Sequence, residues 1–174
     1  VTPHQVLALL VRHLARNRKE HGTIVTSVNI GHMVDLEAAA LGLPLVVKPA
    51  RQGSSVGIEI VHRRSELERA CVDAARYDEQ LVVEEFVKGR ELTVGIFDGK
   101  ALPVIEIRPK QKFFTYEAKY TPGETDYLVP APLDAVTAAQ AQFLAQRAHE
   151  CLGCRDFSRV DLMLADNGAL YVLE

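Results

Sequence analysis

The chain has 174 residues, of which 48% are hydrophobic, so it is long enough to bury the core of one medium-sized domain or of two small lobes. Its formal net charge is -3 and it has no block of Lys and Arg, which argues against a nucleic-acid partner held through phosphate contacts. The longest apolar run is too short for a spanning helix and the first residues do not resemble a signal peptide, so we expect a cytoplasmic protein without membrane association.

The first segment predicts two helices around a short strand. Thr2 is a suitable N-cap, Pro3 fits the first helical position, and apolar residues at helical spacing extend the pattern to near residue 20. Residues 23–28 then predict a short strand. Residues 33–41 predict a second helix, which Gly42 closes.

An apolar strand followed by a small, flexible turn lies at residues 43–58. The β-branched run before Lys48 predicts a buried strand, which Pro49 ends. In the turn GSSVG, backbone N–H groups and hydroxyls can close over an anion while the lysine supplies a positive charge. Taken alone, the same residues also fit an ordinary turn beside a surface lysine. As a phosphate-handling loop, its expected contacts are Lys48, Gly53, Ser54, Ser55 and Val56.

A strand, a helix and another strand follow this turn. The pattern predicts a strand at 57–61, and Ser65 with Glu68 forms a capping box for a helix over 67–74. A third apolar strand begins the stretch 81–87, which continues through an acidic pair.

A hairpin marks the start of a second lobe. Asp98 and Gly99 lie between two alternating runs, which predicts that residues 91–97 and 101–108 pair antiparallel. Residues 109–132 are polar, aromatic and proline-containing without a sustained period, so they indicate a long functional loop.

The last third of the chain predicts a helix and a second hairpin. Asp134 or Thr137 opens the helix, and Gly153 ends it. Residues 160–164 and 169–173 form the strands of the hairpin, around an Asp-Asn-Gly turn.

Two carboxylates lie in or beside the apolar strands of this hairpin. Asp161 has apolar neighbours and Glu174 follows an apolar run, and buried carboxylates need a partner. Hairpin pairing brings the two close enough to share a hard divalent cation, as Mg²⁺ is shared by carboxylates and nucleotide phosphates. Strand alternation puts Arg159 on the same face as Asp161, where its guanidinium can hold an anionic intermediate or a substrate carboxylate. Edge-strand charges that deter aggregation are the alternative explanation.

In combination, the phrases VVKPARQGSSVGI, VEEFVKGRELTVGI, YEAKY and GCRDFSRVDLML resemble the D-alanine–D-alanine ligase family of the ATP-grasp fold. The resemblance runs nearly without gaps over residues 41–174. It implies an α+β fold in which two lobes with antiparallel sheets grip ATP between them, here in truncated form. The lobes are expected at 1–87, which carries the Gly/Ser-rich phosphate loop, and at 88–174, which ends at the metal-binding Glu174.

The resemblance assigns ATP-binding roles in both lobes. Lys48 and Lys119 match the lysines that contact the ATP phosphates, and Glu91 matches the ribose-binding carboxylate. The adenine base is expected to pair largely with backbone groups of a hinge at Glu84, Glu85 and Val87.

The same resemblance implies a metal site and the residues beside the reacting atoms. Asp161 and Glu174 match ligands of Mg²⁺ or Mn²⁺. Arg159 matches the arginine beside the tetrahedral intermediate, and Ser54 and Tyr120 match the serine and tyrosine of the active-site hydrogen-bond network.

The implied activity is the ATP-dependent joining of two D-alanines for peptidoglycan precursor synthesis. ATP phosphorylates the carboxylate of the first D-alanine, and the amine of the second attacks the acyl phosphate. D-alanine and ATP are therefore the implied partners, and family members commonly form homodimers. Two alternatives stay open: another ATP-grasp carboxylate–amine ligase with a different acid, and a non-catalytic nucleotide-binding remnant.

The chain departs from the family pattern at both ends. The family's N-terminal domain has no counterpart here, and the chain stops before the asparagine that completes the metal site. We therefore expect a fragment or truncated homologue that binds nucleotide weakly and is poor or inactive as a ligase.

Overall fold

The structure is a computed structural model that describes residues 24–27, 41–53, 55–110 and 123–173, with the first of these ranges described by its backbone. The chain divides into two compact units, Val1–Phe86 and Val87–Glu174. Each unit contains one antiparallel sheet and a helix packed on it, so the predicted α+β class with antiparallel sheets is confirmed. In the described part, no helix is long and apolar enough to cross a membrane.

The first unit contains a four-stranded sheet with the order β1-β4-β2-β3. Its strands are β1 (Ile24–Ser27), β2 (Leu45–Pro49), β3 (Glu59–Val61) and β4 (Gln80–Glu85). These bounds confirm the strands predicted at 23–28, before Pro49, at 57–61 and from Leu81. The helices predicted to near residue 20 and at 33–41 lie outside the described residues, apart from Leu41, which is helical.

Strand alternation gives the first sheet a buried face and a more polar face. On β2, Leu45 and Val47 are fully buried whereas Lys48 is half-buried and lies on the other face. Full burial of a leucine such as Leu45 contributes about 2 kcal/mol to folding. Helix α1 (Leu67–Ala74) covers the buried face with Leu67, Ala70 and Ala74, which recur at helical spacing.

The start of α1 differs from the prediction. The predicted capping box of Ser65 and Glu68 is wrong, because a 3₁₀ turn at Arg64–Glu66 precedes the helix and moves the capping position upstream. The carboxylate of Glu66 accepts hydrogen bonds from the backbone N–H groups of His62 and Arg63, each at 3.1 Å. The side chain of Arg63 donates to the same carboxylate.

The second unit contains a sheet with the order β10-β9-β5-β7-β8, and β6 pairs with β5. Its elements are β5 (Gly89–Phe97), β6 (Lys100–Ala101), β7 (Ile105–Pro109), β8 (Thr125–Leu128), α2 (Ala135–Cys151), β9 (Phe157–Ala165) and β10 (Leu170–Val172). Both predicted hairpins and the predicted helix are therefore confirmed.

The β5–β6 turn and the segment after β7 show one correct and one partly incorrect prediction. Asp98 (φ 48°) and Gly99 (φ 67°) are both left-handed, as a tight hairpin turn requires. The loop predicted over 109–132 is wrong in part, because Thr125–Leu128 form β8 and pair with β7. This short edge strand, Thr-Asp-Tyr-Leu, lacks the apolar alternation by which a strand is predicted.

Helix α2 covers one face of the second sheet. Asp134 is its N-cap and accepts hydrogen bonds from the N–H groups of Val136 and Thr137, both at 3.0 Å. Its small residues Ala141 and Ala145 are fully buried. They pack in one core cluster with apolar residues of β5 and β9, namely Leu92, Val94, Ile96, Val160, Leu162 and Leu164.

A buried glutamate also lies on the helix-covered face of this sheet. Glu106 on β7 is 3% exposed and accepts hydrogen bonds from the guanidinium groups of Arg90 and Arg108. Arg90 also donates to the carbonyl of Pro132 at 3.1 Å. The hydrogen bonds from Arg90, together with those from Arg108, lower the pKa of Glu106 to about 2. This cluster joins β5, β7 and the segment that leads into α2.

We predict that Glu106→Gln lowers the free energy of unfolding at pH 7 by about 2 kcal/mol, because the two arginines lose a charged partner. The pKa of Glu106 is lower in the folded chain than its ordinary value of 4.5. The stabilisation from its charge is therefore fully present above pH 4.5. The contribution disappears as the pH falls toward about 2. Urea unfolding at pH 7 and pH 3 measures the difference.

The matched control is Glu150→Gln, which removes an exposed ion pair with Arg147 in the same unit. It should change the unfolding free energy little at either pH, since exposed pairs contribute little. A Glu106→Gln variant as stable as the original chain at pH 7 contradicts the prediction.

Candidate functional site

In the first unit, an ion pair joins two of the residues predicted to bind nucleotide. The ammonium Nζ of Lys48 lies 2.8 Å from Oε1 of Glu84. The register of β2 and β4 explains this ion pair, because Val46 lies opposite Glu84. Lys48 is two residues after Val46, so its side chain lies on the same face and close to that of Glu84. Both side chains are mostly buried, with 24% and 18% exposed. A carboxylate partner at this distance fixes the position of the ammonium group.

The predicted hinge begins where β4 leaves its sheet. The β2–β4 register ends at Glu85, opposite Leu45, and the N–H of Phe86 donates to the carbonyl of Pro44 at 3.1 Å. The side chain of Glu85 is exposed. Val87 is half-buried and begins the second unit. Peptide groups just past a strand end can pair with the edge of a planar base.

The predicted phosphate loop follows β2. The N–H of Val56 donates to the carbonyl of Gly53 at 3.2 Å, which closes a turn. Ser55 (φ 60°) and Gly57 (φ 70°) both have left-handed backbone conformations. Left-handed residues in a tight turn are typical of the N–H concavities that bind anions.

In the second unit, a buried carboxylate lies on the face of the sheet opposite α2. Asp161 on β9 is 6% exposed. Its Oδ1 accepts a hydrogen bond from Oγ1 of Thr93 at 2.7 Å and one from Nε of Arg159 at 2.9 Å. Its Oδ2 accepts from Nη2 of Arg159 at 2.8 Å. The prediction that Arg159 and Asp161 share a face is confirmed.

The guanidinium of Arg159 is held by Asp161, although the side chain as a whole is largely exposed. Its side chain is 65% exposed, whereas that of Asp161 is 8% exposed. Two parallel N–H···O bonds fix the plane of the guanidinium. An anion that approaches this face therefore meets an oriented positive group.

Thr93 was not among the residues predicted for the site. It lies directly opposite Asp161 in the β5–β9 register, and Glu91, two residues earlier on the same face, lies opposite Met163. The alternation of β5 in the sequence does place Thr93 beside the predicted ribose-binding Glu91. Its contact with Asp161 depends on a pairing between residues 68 apart in sequence, which alternation does not reveal.

The hydrogen bonds that the Asp161 carboxylate accepts leave room on it for one hard cation. An ionised carboxylate has about four lone-pair sites, and Thr93 and Arg159 together use three of them. The remaining site on Oδ2 can bind a cation such as Mg²⁺, which often takes only one or two protein carboxylates. Within residues 24–27, 41–53, 55–110 and 123–173, no group of three or more His, Cys, Asp or Glu side chains could hold a metal.

Glu174, the predicted second metal ligand, comes directly after a residue whose backbone contacts Asp161, the predicted first ligand. The N–H of Leu173 donates to the carbonyl of Asp161 at 2.9 Å, so the end of the last hairpin reaches Asp161. Glu174 itself lies outside the described residues, as do Ser54, Lys119 and Tyr120. Their predicted roles stay predictions.

Comparison with known proteins gives a consistent family. Residues 23–174 match the family model described as D-ala D-ala ligase C-terminus. The chain is 49% identical over 131 residues to a D-alanine–D-alanine ligase of Syntrophotalea carbinolica, covering 75% of this chain and 43% of the relative. It is 44% identical over 144 residues to that of Geotalea uraniireducens, covering 83% of this chain and 46% of the relative. The chain thus spans less than half the length of these curated relatives.

Solved structures show the same relationship. The VanG D-Ala:D-Ser ligase from Enterococcus faecalis is similar with a TM-score of 0.76 at 30% identity, covering 96% of this chain and 50% of that one. The D-alanine–D-alanine ligase from Bacillus anthracis complexed with ATP has a TM-score of 0.70 at 30% identity, covering 96% and 53%. These neighbours have the ATP-grasp fold, so the predicted fold class is confirmed. The chain belongs to the D-ala D-ala ligase C-terminus family.

Proposed function

We propose that this chain supplies the ATP-binding part of a D-alanine–D-alanine ligase, which makes a dipeptide for peptidoglycan precursors. The match of residues 23–174 to the ligase family carries this proposal. The oriented group of Thr93, Arg159 and Asp161, and the ion pair of Lys48 and Glu84, support it with chemistry suited to phosphate and to a cation.

The proposed reaction has two steps and needs no protein nucleophile. A carboxylate oxygen of the first D-alanine attacks the γ-phosphorus of ATP, and the bond between that phosphorus and ADP breaks. The amine nitrogen of the second D-alanine then attacks the acyl carbon and loses a proton. The carbon–oxygen bond to phosphate breaks, which leaves the dipeptide and inorganic phosphate.

In this proposal, the described residues position charge. Lys48 is held by Glu84 and receives the ATP phosphates together with the loop residues Gly53, Ser55 and Val56. Glu84, Glu85 and Val87 border the adenine, and Glu91 binds the ribose. Arg159 meets the negative charge that develops in the second step, where one preorganised donor is worth about 3 kcal/mol.

Asp161, with Glu174 as the predicted second ligand, would hold Mg²⁺ or Mn²⁺. The bound cation would neutralise charge on the ATP phosphates. Thr93 and Arg159 fix the direction of the Asp161 lone pairs, so they set where a cation can bind. Lobes at 1–87 and 88–174, a cytoplasmic location and a homodimer stay predictions from the family resemblance.

A chimera tests the ligase activity. Residues of this chain replace the matching 131-residue stretch of the Syntrophotalea carbinolica ligase, and the D-alanyl-D-alanine formed from D-alanine and Mg-ATP is measured. We expect dipeptide formation, and D-serine and D-lactate serve as competing second substrates. A folded chimera that binds ATP but forms no product from D-alanine contradicts the proposed activity.

The nucleotide role of Lys48 is tested by Lys48→Ala in the 174-residue chain. Removal of the ammonium group should raise the dissociation constant for Mg-ATP about tenfold, because a charge-assisted phosphate contact is lost. Isothermal titration calorimetry measures the affinity, and circular dichroism checks the fold. The control Lys100→Ala removes an exposed lysine in the β5–β6 hairpin and should leave the affinity unchanged. Equal affinity in Lys48→Ala and the original chain would count against the assignment.

The orienting role of Thr93 is tested by the pair Thr93→Val and Thr93→Ser. Valine keeps the shape but removes the hydroxyl, so the affinity for Mn²⁺ in the presence of ATP should fall about tenfold. Serine keeps the hydroxyl, so the Thr93→Ser variant should bind Mn²⁺ as tightly as the original chain. Electron paramagnetic resonance of free Mn²⁺ gives the affinity, and a valine variant that binds Mn²⁺ as tightly as the serine variant would refute the role.

A further inference from the structure

The turn that follows α1 contacts both flanks of the predicted phosphate loop. Asp78, whose side chain is 4% exposed, accepts hydrogen bonds from Nη2 of Arg51 at 2.8 Å and from Nε of Arg51 at 3.1 Å. It also accepts from the backbone N–H of Arg51 at 2.9 Å and from that of Gln80 at 3.0 Å. One carboxylate therefore holds both the side chain and the backbone at the start of the loop.

The residue before Asp78 holds the loop at two more places. Nε2 of Gln52 donates to the carbonyl of Tyr77 at 3.1 Å. The ring of Tyr77 packs on Gly57, where a Cβ atom would lie 2.6 Å from the ring carbon Cδ2 and 2.9 Å from Cγ of Pro49. Gly57 also has a φ of +70°, so a larger residue there would be strained as well as crowded. We call Arg51, Gln52, Tyr77 and Asp78 the loop clamp.

Asp78 and Arg51, the two charged residues of the loop clamp, are both ionised at neutral pH. The side-chain hydrogen bonds from Arg51, and next the backbone hydrogen bond from Gln80, hold the pKa of Asp78 well below its usual range. The side-chain hydrogen bonds to Asp78 in turn raise the pKa of Arg51. Asp78 therefore stays ionised wherever the chain would meet nucleotide.

A loop of glycines and serines has much conformational freedom when nothing anchors it. Ordering such a loop when a ligand binds reduces the affinity, whereas a loop ordered on folding binds without that loss. Contacts at Arg51, Gln52 and Gly57 restrain the chain on both sides of the turn at Gly53 and Val56.

We propose that Asp78 and Arg51 are positioning residues, which act through the loop clamp to hold the backbone N–H groups of the loop ready for the phosphates of ATP. This inference rests on the proposed nucleotide-binding function. The proposed role requires no contact of either residue with the nucleotide itself. The side chain of Arg51 is 69% exposed and lies at the start of the loop, so its replacement removes no core packing and its effect falls mainly on the loop.

The main test is Arg51→Gln in the 174-residue chain, since this exposed side chain can be replaced without disturbing the core. Calorimetry measures the affinities for Mg-ATP and for adenosine, which has the base and ribose but no phosphate. We expect the dissociation constant for Mg-ATP to rise about fivefold and that for adenosine to stay within about twofold. Hydrogen exchange of the 50–58 backbone amides without nucleotide should become about tenfold faster.

Three further variants complete the test. Asp78→Asn should give the same change, and the double variant should show no further loss, because both substitutions break one clamp. The control Arg63→Gln breaks the ion pair with Glu66 in the same unit, away from the loop, and should change neither the affinity ratio nor the exchange at 50–58.

The outcomes separate the clamp from the function on which it rests. Unchanged exchange at 50–58 in Arg51→Gln overturns the clamp, whether or not the chain binds ATP. Equal losses of ATP and adenosine affinity overturn the positioning role in favour of a general structural one. An original chain that binds adenosine and Mg-ATP equally overturns phosphate binding by the loop, and the inference with it.

Discussion

The burial of the Asp161 carboxylate is the constraint on which the polar face of the second sheet depends. A buried charge is tolerated only where neighbours supply hydrogen bonds and opposite charge. The nine-residue pairing of β5 with β9 meets this requirement by placing Thr93 opposite Asp161, while strand alternation brings Arg159 alongside. The same contacts therefore both stabilise the charge of the carboxylate and fix its orientation.

In each sheet, one face packs in the core and the other carries the polar residues of the candidate site. Apolar residues that alternate along β2, β5 and β9 pack under α1 or α2 and hold the strands in register. The same register then fixes which polar residues meet on the opposite face, as it does for Lys48 with Glu84. The positions of the site residues are thus a consequence of core packing, even though none of them lies in the core clusters.

Local patterns predicted the elements better than the contacts. The turn at Asp98 and Gly99, the helix start at Asp134, one of the two positions predicted for it, and the shared face of Arg159 and Asp161 each depend on residues close in sequence, and all three are confirmed. The ion pair of Lys48 with Glu84, the hydrogen bond from Thr93 and the loop clamp each depend on strand register or on a turn more than twenty residues away. Hydrophobic periodicity shows which face of a strand is buried, but it does not show which residues of two distant strands lie opposite each other, so it could not predict these contacts.

The separation of β5 and β9 along the chain has a kinetic consequence. The hydrogen bond between Thr93 and Asp161 joins residues 68 apart, so the intervening chain must lose its freedom before that bond can form. Contacts of this range form slowly, whereas a short hairpin such as β9–β10 forms early. We therefore expect nascent chains to have most of their strands before the carboxylate acquires its partners, and the polar face around Asp161 to appear among the last steps of folding.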